Sequence, residues 1–455
     1  MTTTTHTTSI HKVRRRKLGC NGNERRKRVK RRDPRKVSIG RPDPSLSGVG
    51  GLVEFGRFCA EERVDRELRV FDPLKPDPRT RFRMGDVVRL LLDANVAGEA
   101  RVFGVEHLAA DPLFRHLAGG EVPSIDTVYR DLERFDDAAL RHLEDLVAAQ
   151  GLKTVSGLKE LHVDIDTTVE PLFGSQEGAL PGPNPRYRGR PSYHPLLAFV
   201  AETGTCVGAQ LRHGDRGFGE DDVPTIRVWL RRLREAVGPE CVVTVRVDAA
   251  GDCTALLDML EKAGVRYVIK ARWREELVGA MLAQPTWRTV DWDAEGKPLI
   301  QVATVGAARF AWSSMVMVPR VVAVRRRDRD TGRQIRLWED VDYSVHAVLT
   351  NDWATAEEDL AREYDFRAEV EPAIAEMKYG WGMAKVASRC FRANTAVFLI
   401  KLLAHNLMRR FVAVVAPAIA KWRVPWIRRF LINIPARLLR SGRRWTLRLP
   451  PWQLE

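Results

Sequence analysis

The chain has 455 residues, 44% hydrophobic and 29% charged, with a formal net charge of +15. That length suffices for several filled cores in two to four domains, and the composition is that of a globular protein. No apolar stretch follows the first charges of MTTTTHTTSIHKVRRRK, which excludes a secretory signal, and the apolar run from Phe391 to Ala420 is broken by Arg392, Lys401, His405, Arg409 and Arg410, which excludes a bilayer span.

Residues 1–36 carry 14 Lys and Arg against Glu24 and Asp33, so a charge of +12 sits in this arm and about +3 in all the rest. Such an arm gains from counterion release on a phosphate backbone, or serves as a solubilising tail. With the Gly, Pro and Ser of IGRPDPSLSGVGG behind it, 1–60 is expected to be a disordered basic arm and linker. Residues 61–155 follow as short amphipathic helices separated by Gly or Pro, a helical domain for DNA binding or dimerisation. The six cysteines (Cys20, Cys59, Cys206, Cys241, Cys253 and Cys390) have no C-x-x-C spacing and point to a reducing compartment.

From Glu160 the texture changes. LHVDIDTTVEPLF alternates, with Leu161, Val163 and Ile165 on one face and His162, Asp164 and Asp166 on the other. YHPLLAFVAETG and TCVGAQLRHG continue as strands, followed by helix PTIRVWLRRLREAVG, strand CVVTVRVD ending on Asp248, helix TALLDMLEKAG and strand VRYVIKARW. The order β-β-β-α-β-α-β is that of a ribonuclease-H-like mixed sheet flanked by helices, begun in 156–272. A β-rich insertion occupies 273–355, a helix completing the core 356–390, and a basic C-terminal helical region 391–455. The fold class is therefore α/β.

Hard carboxylates suit the holding of two divalent ions close together, one to activate an attacking oxygen and one to stabilise a leaving oxygen. Asp166 from a central strand, Asp248 from the end of its neighbour, and an acid from a later helix could supply them. In that helix Tyr364, Arg367, Glu371 and Lys378 form Y-x2-R-x3-E-x6-K; at about 100° per residue they fall within roughly 60° of arc, and Glu369 and Glu376 point away. A solvated helix with i,i+4 pairs explains the charges but not the arc. Pro372, directly after Glu371, disfavours helical geometry at residue 371.

These four residues resemble the Y-R-E-K signature of DDE transposases of bacterial insertion sequences in the IS4-like superfamily. The segments DIDTTVEPLFGSQEGALPGPNPRYRGRPSYHPLLAFVAETG, VRVDAAGDCTALLDMLEKAGVRYVIKAR and FRANTAVFLIKLLAHNLMRRF are similar to successive parts of the family thirteen-eighty type. The resemblance covers about residues 120–450 and implies a catalytic and metal-binding triad of Asp166, Asp248 and Glu371. Asp166 is preferred because the family's first acid precedes a Thr, here Thr167, while Asp164 on the same strand face stays a rival. It further implies two Mg²⁺ ions, for which Mn²⁺ can substitute, and contacts from Tyr364, Arg367 and Lys378 to the terminal phosphates of the transposon end. The family commonly has Ser-Gly after the second acid, where this chain has Ala249-Ala250-Gly251.

Arg186, Arg188 and Arg190 stand in a loop beside the first strand where they can track a DNA backbone, or simply solubilise it. Trp312, Trp338 and Trp353 of the insertion are candidates for stacking on a flipped base or for core packing. The expected function is metal-dependent cleavage at transposon ends and transfer of the 3′ hydroxyl into target DNA. The expected partners are terminal inverted repeats, target DNA and a second copy of the chain, with no membrane and no organic cofactor, in a cytoplasmic, nucleoid-associated protein. The rival readings are a ribonuclease-H-like nuclease without strand transfer and an inactive DNA-binding derivative.

Overall fold

The computed structural model describes residues 32–184, 187–306, 312, 315–327, 343–365 and 370–451. The chain divides into two compact units, 1–44 and 45–455. In the first, residues 1–31 of the basic arm lie outside the described residues; Asp33 caps a 3-10 turn at Pro34–Lys36 and accepts the Arg35 amide at 3.0 Å. All that follows concerns the second unit.

After a short strand β1 (Leu46–Ser47) come helices α1 (Leu52–Glu61), α2 (Val64–Leu68), α3 (Met84–Ala97), α4 (Val105–Ala109), α5 (Pro112–Leu117), α6 (Ile125–Leu132) and α7 (Asp137–Leu152). Short polar side chains start three of them by accepting otherwise unpartnered amides. Asp111 takes Leu113 N at 2.9 Å, Ser124 takes Thr127 N at 3.4 Å and Asp136 takes Ala139 N at 2.8 Å.

The sheet begins with β2 (Glu160–Thr167), a small pair β3 (Glu170–Pro171) and β4 (Ser192–Tyr193), and then β5 (Leu196–Val200) and β6 (Thr205–Gln210). Helix α8 (Val223–Val237), β7 (Val242–Val247), α9 (Thr254–Lys262) and β8 (Arg266–Lys270) complete it. In space the order is β6-β5-β2-β7-β8; β2, β7 and β8 run parallel, and β5 and β6 antiparallel. This is the ribonuclease-H-like order expected from the sequence, with α8 and α9 as the crossovers that parallel neighbours need.

Past α10 (Glu275–Leu282), strands β9 (Arg288–Trp292), β10 (Pro298–Val305), β11 (Arg320–Arg327) and β12 (Tyr343–Thr350) continue the same sheet beyond β8 in the order β12-β11-β10-β9, all antiparallel. The β-rich stretch thus covers what would otherwise be the open edge of β8. Helices α11 (Glu357–Asp365), α12 (Val370–Ala375), α13 (Phe391–Val415) and α14 (Val424–Ile427) follow. The chain then closes with a hairpin, β13 (Ala436–Ser441) and β14 (Arg444–Arg448), paired to β1 in the order β1-β13-β14. Helix alone therefore does not describe 391–455.

Each face of the sheet has its own core. Leu161, Val163 and Ile165 of β2 pack with Ile226 and Leu230 of α8 and Leu256 and Leu260 of α9. On the other side Leu197, Phe199 and Cys206 join α1, α3, α7 and α13 in the larger core. The N-terminal helices therefore share their apolar interior with the nine-stranded sheet and with α13. No helix among the described residues is long and apolar enough to cross a membrane; α13 is instead buried along most of its length.

Asn406 of α13 holds this junction, accepting from Cys206 N at 2.8 Å and donating to Cys206 O at 2.7 Å and Val147 O at 2.8 Å. The backbones of α7 and β6 are close enough that a Cβ on Gly151 would lie 2.2 Å from Cys206 O. Gly151→Ala is accordingly expected to destabilise the protein by about 1–3 kcal/mol, by forcing the helix off the sheet. Urea unfolding would show this as a lower midpoint.

Candidate active site

Strands β2 and β7 pair in parallel with Asp164 opposite Arg246 and Ile165 opposite Val247. One residue further, Asp166 at the end of β2 is level with Asp248 just past β7, on strands about 4.8 Å apart. Both side chains are half-buried. Asp166 accepts its neighbour's amide, Thr167 N, at 2.8 Å. Asp248 caps the 3-10 turn Ala249–Gly251 through Ala250 N at 2.8 Å, and among the described residues nothing donates to its second oxygen. Arg272 clamps that turn, donating to Ala249 O at 3.1 Å and Ala250 O at 3.0 Å. Backbone amides thus orient both acids.

Asp164 has a different role. Arg246 embraces it from β7 through a bidentate pair, Nε to Oδ1 at 2.7 Å and a second nitrogen to Oδ2 at 2.8 Å, with both side chains at most 3% exposed. The same guanidinium donates to Glu363 O of α11 at 3.0 Å. Asp252 is likewise buried and consumed by Trp312 Nε1 at 2.8 Å, Arg272 N at 2.7 Å and Arg274 at 2.5 Å. Trp312 is therefore a core residue. Trp353 is 66% exposed beside Arg320, and Trp338 lies outside the described residues.

Glu371 is exposed in the first turn of α12. Pro372 falls in that same turn, where an amide has no helical acceptor and its loss costs nothing. Tyr364 belongs to α11 and packs against Val268, Val322 and Val348 of the sheet. Arg367 lies outside the described residues, as does Glu369. Beyond α12 the helix widens into a π-turn over Glu376–Gly380, so the uniform 100° step does not carry to Lys378. Lys378 reaches Val169 O at 3.0 Å and Glu170 Oε1 at 3.6 Å, beside the end of β2. Burial pushes the Glu170 carboxyl up to about 7, against the pull of Lys378. Glu376 is committed to Arg409 and to Val424 N at 2.8 Å.

In the loop beside β2, Arg188 is exposed and Arg190 lies between the rings of Phe173 (4.8 Å) and Tyr187 (5.2 Å); Arg186 lies outside the described residues. His194 is buried, its imidazole pushed down by burial and by Arg212.

The oxygen donors are of the right kind for a hard divalent cation such as Mg²⁺. Among the described residues, however, no three His, Cys, Asp or Glu side chains form a metal-ligand group, so Glu371 is not gathered with the two aspartates. A cleft of about 960 Å³ opens on this side of the sheet, lined among others by His162, Glu202, Glu363, Ala373, Tyr379 and Trp422. A larger hollow, about 1070 Å³, lies among α1, α3 and α5, on different elements from the acids.

Sequence reasoning did not single out Arg246 or the cluster around His162. The histidine bonds Glu202 through Nδ1 at 2.7 Å and Glu363 through Nε2 at 3.1 Å, and Arg266 reaches Glu363 at 2.5 Å. The available signal was an arginine inside the apolar strand VVTVRV.

A family model described as transposase DDE domain group 1 matches residues 32–453. No curated protein matches the chain. Among solved structures, a piggyBac transposase synaptic complex with hairpin DNA is 12% identical over 84% of each chain, with a TM-score of 0.38. The Drosophila P element transposase strand transfer complex is 17% identical over 43% of this chain and 39% of that one, with a TM-score of 0.22.

Two expectations follow from this geometry. Arg246→Met leaves Asp164 charged in the interior and should cost about 3–5 kcal/mol, whereas adding Asp164→Leu should recover most of that loss; thermal unfolding of the two variants measures the difference. Burial opposes charge on His162, but Glu202 and Glu363 outweigh it and raise its pKa to about 9. Its stabilising contribution is therefore complete below about 6.5 and is lost as pH rises through about 9. The gap in melting temperature between wild type and His162→Gln should shrink steadily across that window.

Proposed function

The chain belongs to the transposase DDE domain group 1 family, and we propose that it cleaves transposon ends and transfers the resulting 3′ hydroxyl into target DNA. The observation that carries this reading is the pair Asp166 and Asp248, level with one another at the ends of two adjacent parallel strands, with the rival Asp164 already neutralised by Arg246. Asp166, Asp248 and Glu371 are the proposed catalytic acids; they would hold Mg²⁺, or Mn²⁺ in its place, which supplies activation of the attacking oxygen and stabilisation of the leaving oxygen. Thr167 N and the turn at Ala249–Gly251 orient the two aspartates.

The Y-R-E-K reading of the IS4-like superfamily belongs to the same proposal. Lys378, held beside the end of β2, supports it best as a phosphate-binding cation. Tyr364, Arg367, Arg188, Arg190 and Arg186 are proposed DNA contacts. Two ends must be brought together for paired transfer, so the active species is proposed to be a homodimer on DNA.

The test is cleavage of a duplex carrying one transposon end. Asp166→Asn and Glu371→Gln should each drop cleavage to background while duplex binding and melting temperature stay at wild-type values; Asp164→Asn should instead lower the melting temperature. Full cleavage by both of the first two variants overturns the assignment, and joining of cut ends to a target plasmid separates a transposase from a plain nuclease. The exposure of Glu371 away from the aspartates favours a second reading, an inactive DNA-binding derivative. That reading predicts wild-type protein that binds the duplex but does not cut it with Mg²⁺ or Mn²⁺.

A further inference from the structure

The closing hairpin is unlike the rest of the unit in charge. Residues 436–451 contain Arg437, Arg440, Arg443, Arg444 and Arg448 and no Asp or Glu. Its register is set by a two-residue turn, Gly442-Arg443, with Ser441 opposite Arg444 and Gly442 at φ 60°, a conformation that favours glycine at the first turn position. The pairing then runs Leu439 opposite Thr446 and Arg437 opposite Arg448 on one face, with Arg440 opposite Trp445 and Leu438 opposite Leu447 on the other.

The two faces are not equivalent. Trp445, still 44% exposed, lies 4.4 Å from the ring of His116 on α5, and Arg440 sits 5.4 Å from the same indole, so this is the face that touches the helical region. Arg444, Thr446 and Arg448 share the opposite face and are exposed, as is Arg443 in the turn. Among the described residues no carboxylate pairs with Arg443, Arg444 or Arg448. One or two charges would protect β14 as an edge strand. Three exposed guanidiniums with no acid in the element raise the local repulsion beyond that need, and an external anion would relieve it.

We infer that this outer face is a docking surface for the phosphate backbone of duplex DNA, independent of base sequence and separate from the carboxylates; the inference rests on the proposal that the chain acts on DNA. Arg444 and Arg448 are about 14 Å apart along the strand, enough to bridge a major groove about 12 Å wide and reach phosphates on both sides. Guanidinium forks match phosphate oxygens. Between them stand only Thr446 and Leu439, which offer little for reading base edges, and the one aromatic ring of the hairpin, Trp445, is on the opposite face against His116, so this face has no ring for the stacking that marks a single-strand site.

The experiment is a salt series of binding to a short duplex of unrelated sequence, by fluorescence anisotropy with the full chain. Arg443→Ala/Arg444→Ala/Arg448→Ala should flatten the slope of log Kd against log salt by about 2 to 3, since each lost phosphate contact removes about 0.9. The corresponding triple Lys variant should restore most of the slope, and an unchanged melting temperature for both shows that the hairpin stays folded. Wild-type binding with an undiminished slope in the triple Ala variant overturns this surface alone. A wild type that binds no duplex overturns it together with the proposed function, and a loss confined to phosphatidylserine vesicles reassigns the face to a membrane and also overturns it.

Discussion

The buried ion pair between Asp164 and Arg246 ties three parts of one face of the sheet together. It joins β2 to β7 side by side, and the remaining guanidinium nitrogen holds the backbone of α11 at Glu363. Removing two charges from water is expensive, and a pair of apolar side chains could fill the same space at equal or lower free energy. What the pair adds is directional: a one-residue slip between the strands would separate two opposite charges in the interior. Parallel register is thereby locked two residues before the strand ends, and the strand ends carry Asp166 and Asp248.

The opposite requirement holds at the ends themselves. A carboxylate that is to bind a cation cannot also be consumed by a guanidinium, and the acids near the strand ends divide on that basis. Asp164 and Asp252 are buried and saturated by Arg246, Arg274, Trp312 and backbone amides, while Asp248 gives only one oxygen to a turn amide. Glu376 is saturated by Arg409 and Val424 N, and Glu371 one and a half turns earlier is exposed. Burial and partners, more than residue type, sort structural acids from available ones.

Those partners explain which parts of the site were legible. The alternation of β2 could be read because a strand has period two, and it put Asp164 and Asp166 on one face correctly. It could not tell their surroundings apart, because Arg246, the partner of Asp164, is 82 positions away and meets it only through strand pairing. The β-rich stretch after α10 was equally visible as strands, but its attachment to β8 depends on the contacts of Val348, Leu349 and Thr350 with Lys270, Ile269 and Val268, which no local pattern encodes. The hairpin near the C-terminus was hidden because ARLLRS has the leucines and arginines of a good helix. The turn at Gly442 and the pairing with β1 override that propensity.

The helix bearing Glu371 shows a different limit, since its arc was drawn with a constant rotation per residue. The π-turn at Glu376–Gly380 inserts a wider step exactly between Glu371 and Lys378 in sequence, and its cause is visible in the packing. Glu376 must reach Arg409 and Val424 N on one side, while Met377 is wholly buried and Lys378 must reach Val169 O on another. An α-helical step of about 100° serves consecutive residues that alternate between core and solvent, but here three in a row have fixed partners. Widening the turn lets each keep its own, and it leaves Lys378 beside the end of β2, within reach of Glu170 and next to the strand that carries Asp166. The proposed phosphate-binding role of Lys378 thus rests on where a distorted helix delivers the ammonium rather than on sequence spacing, since π-turns cost backbone geometry and persist where a side chain has to be aimed.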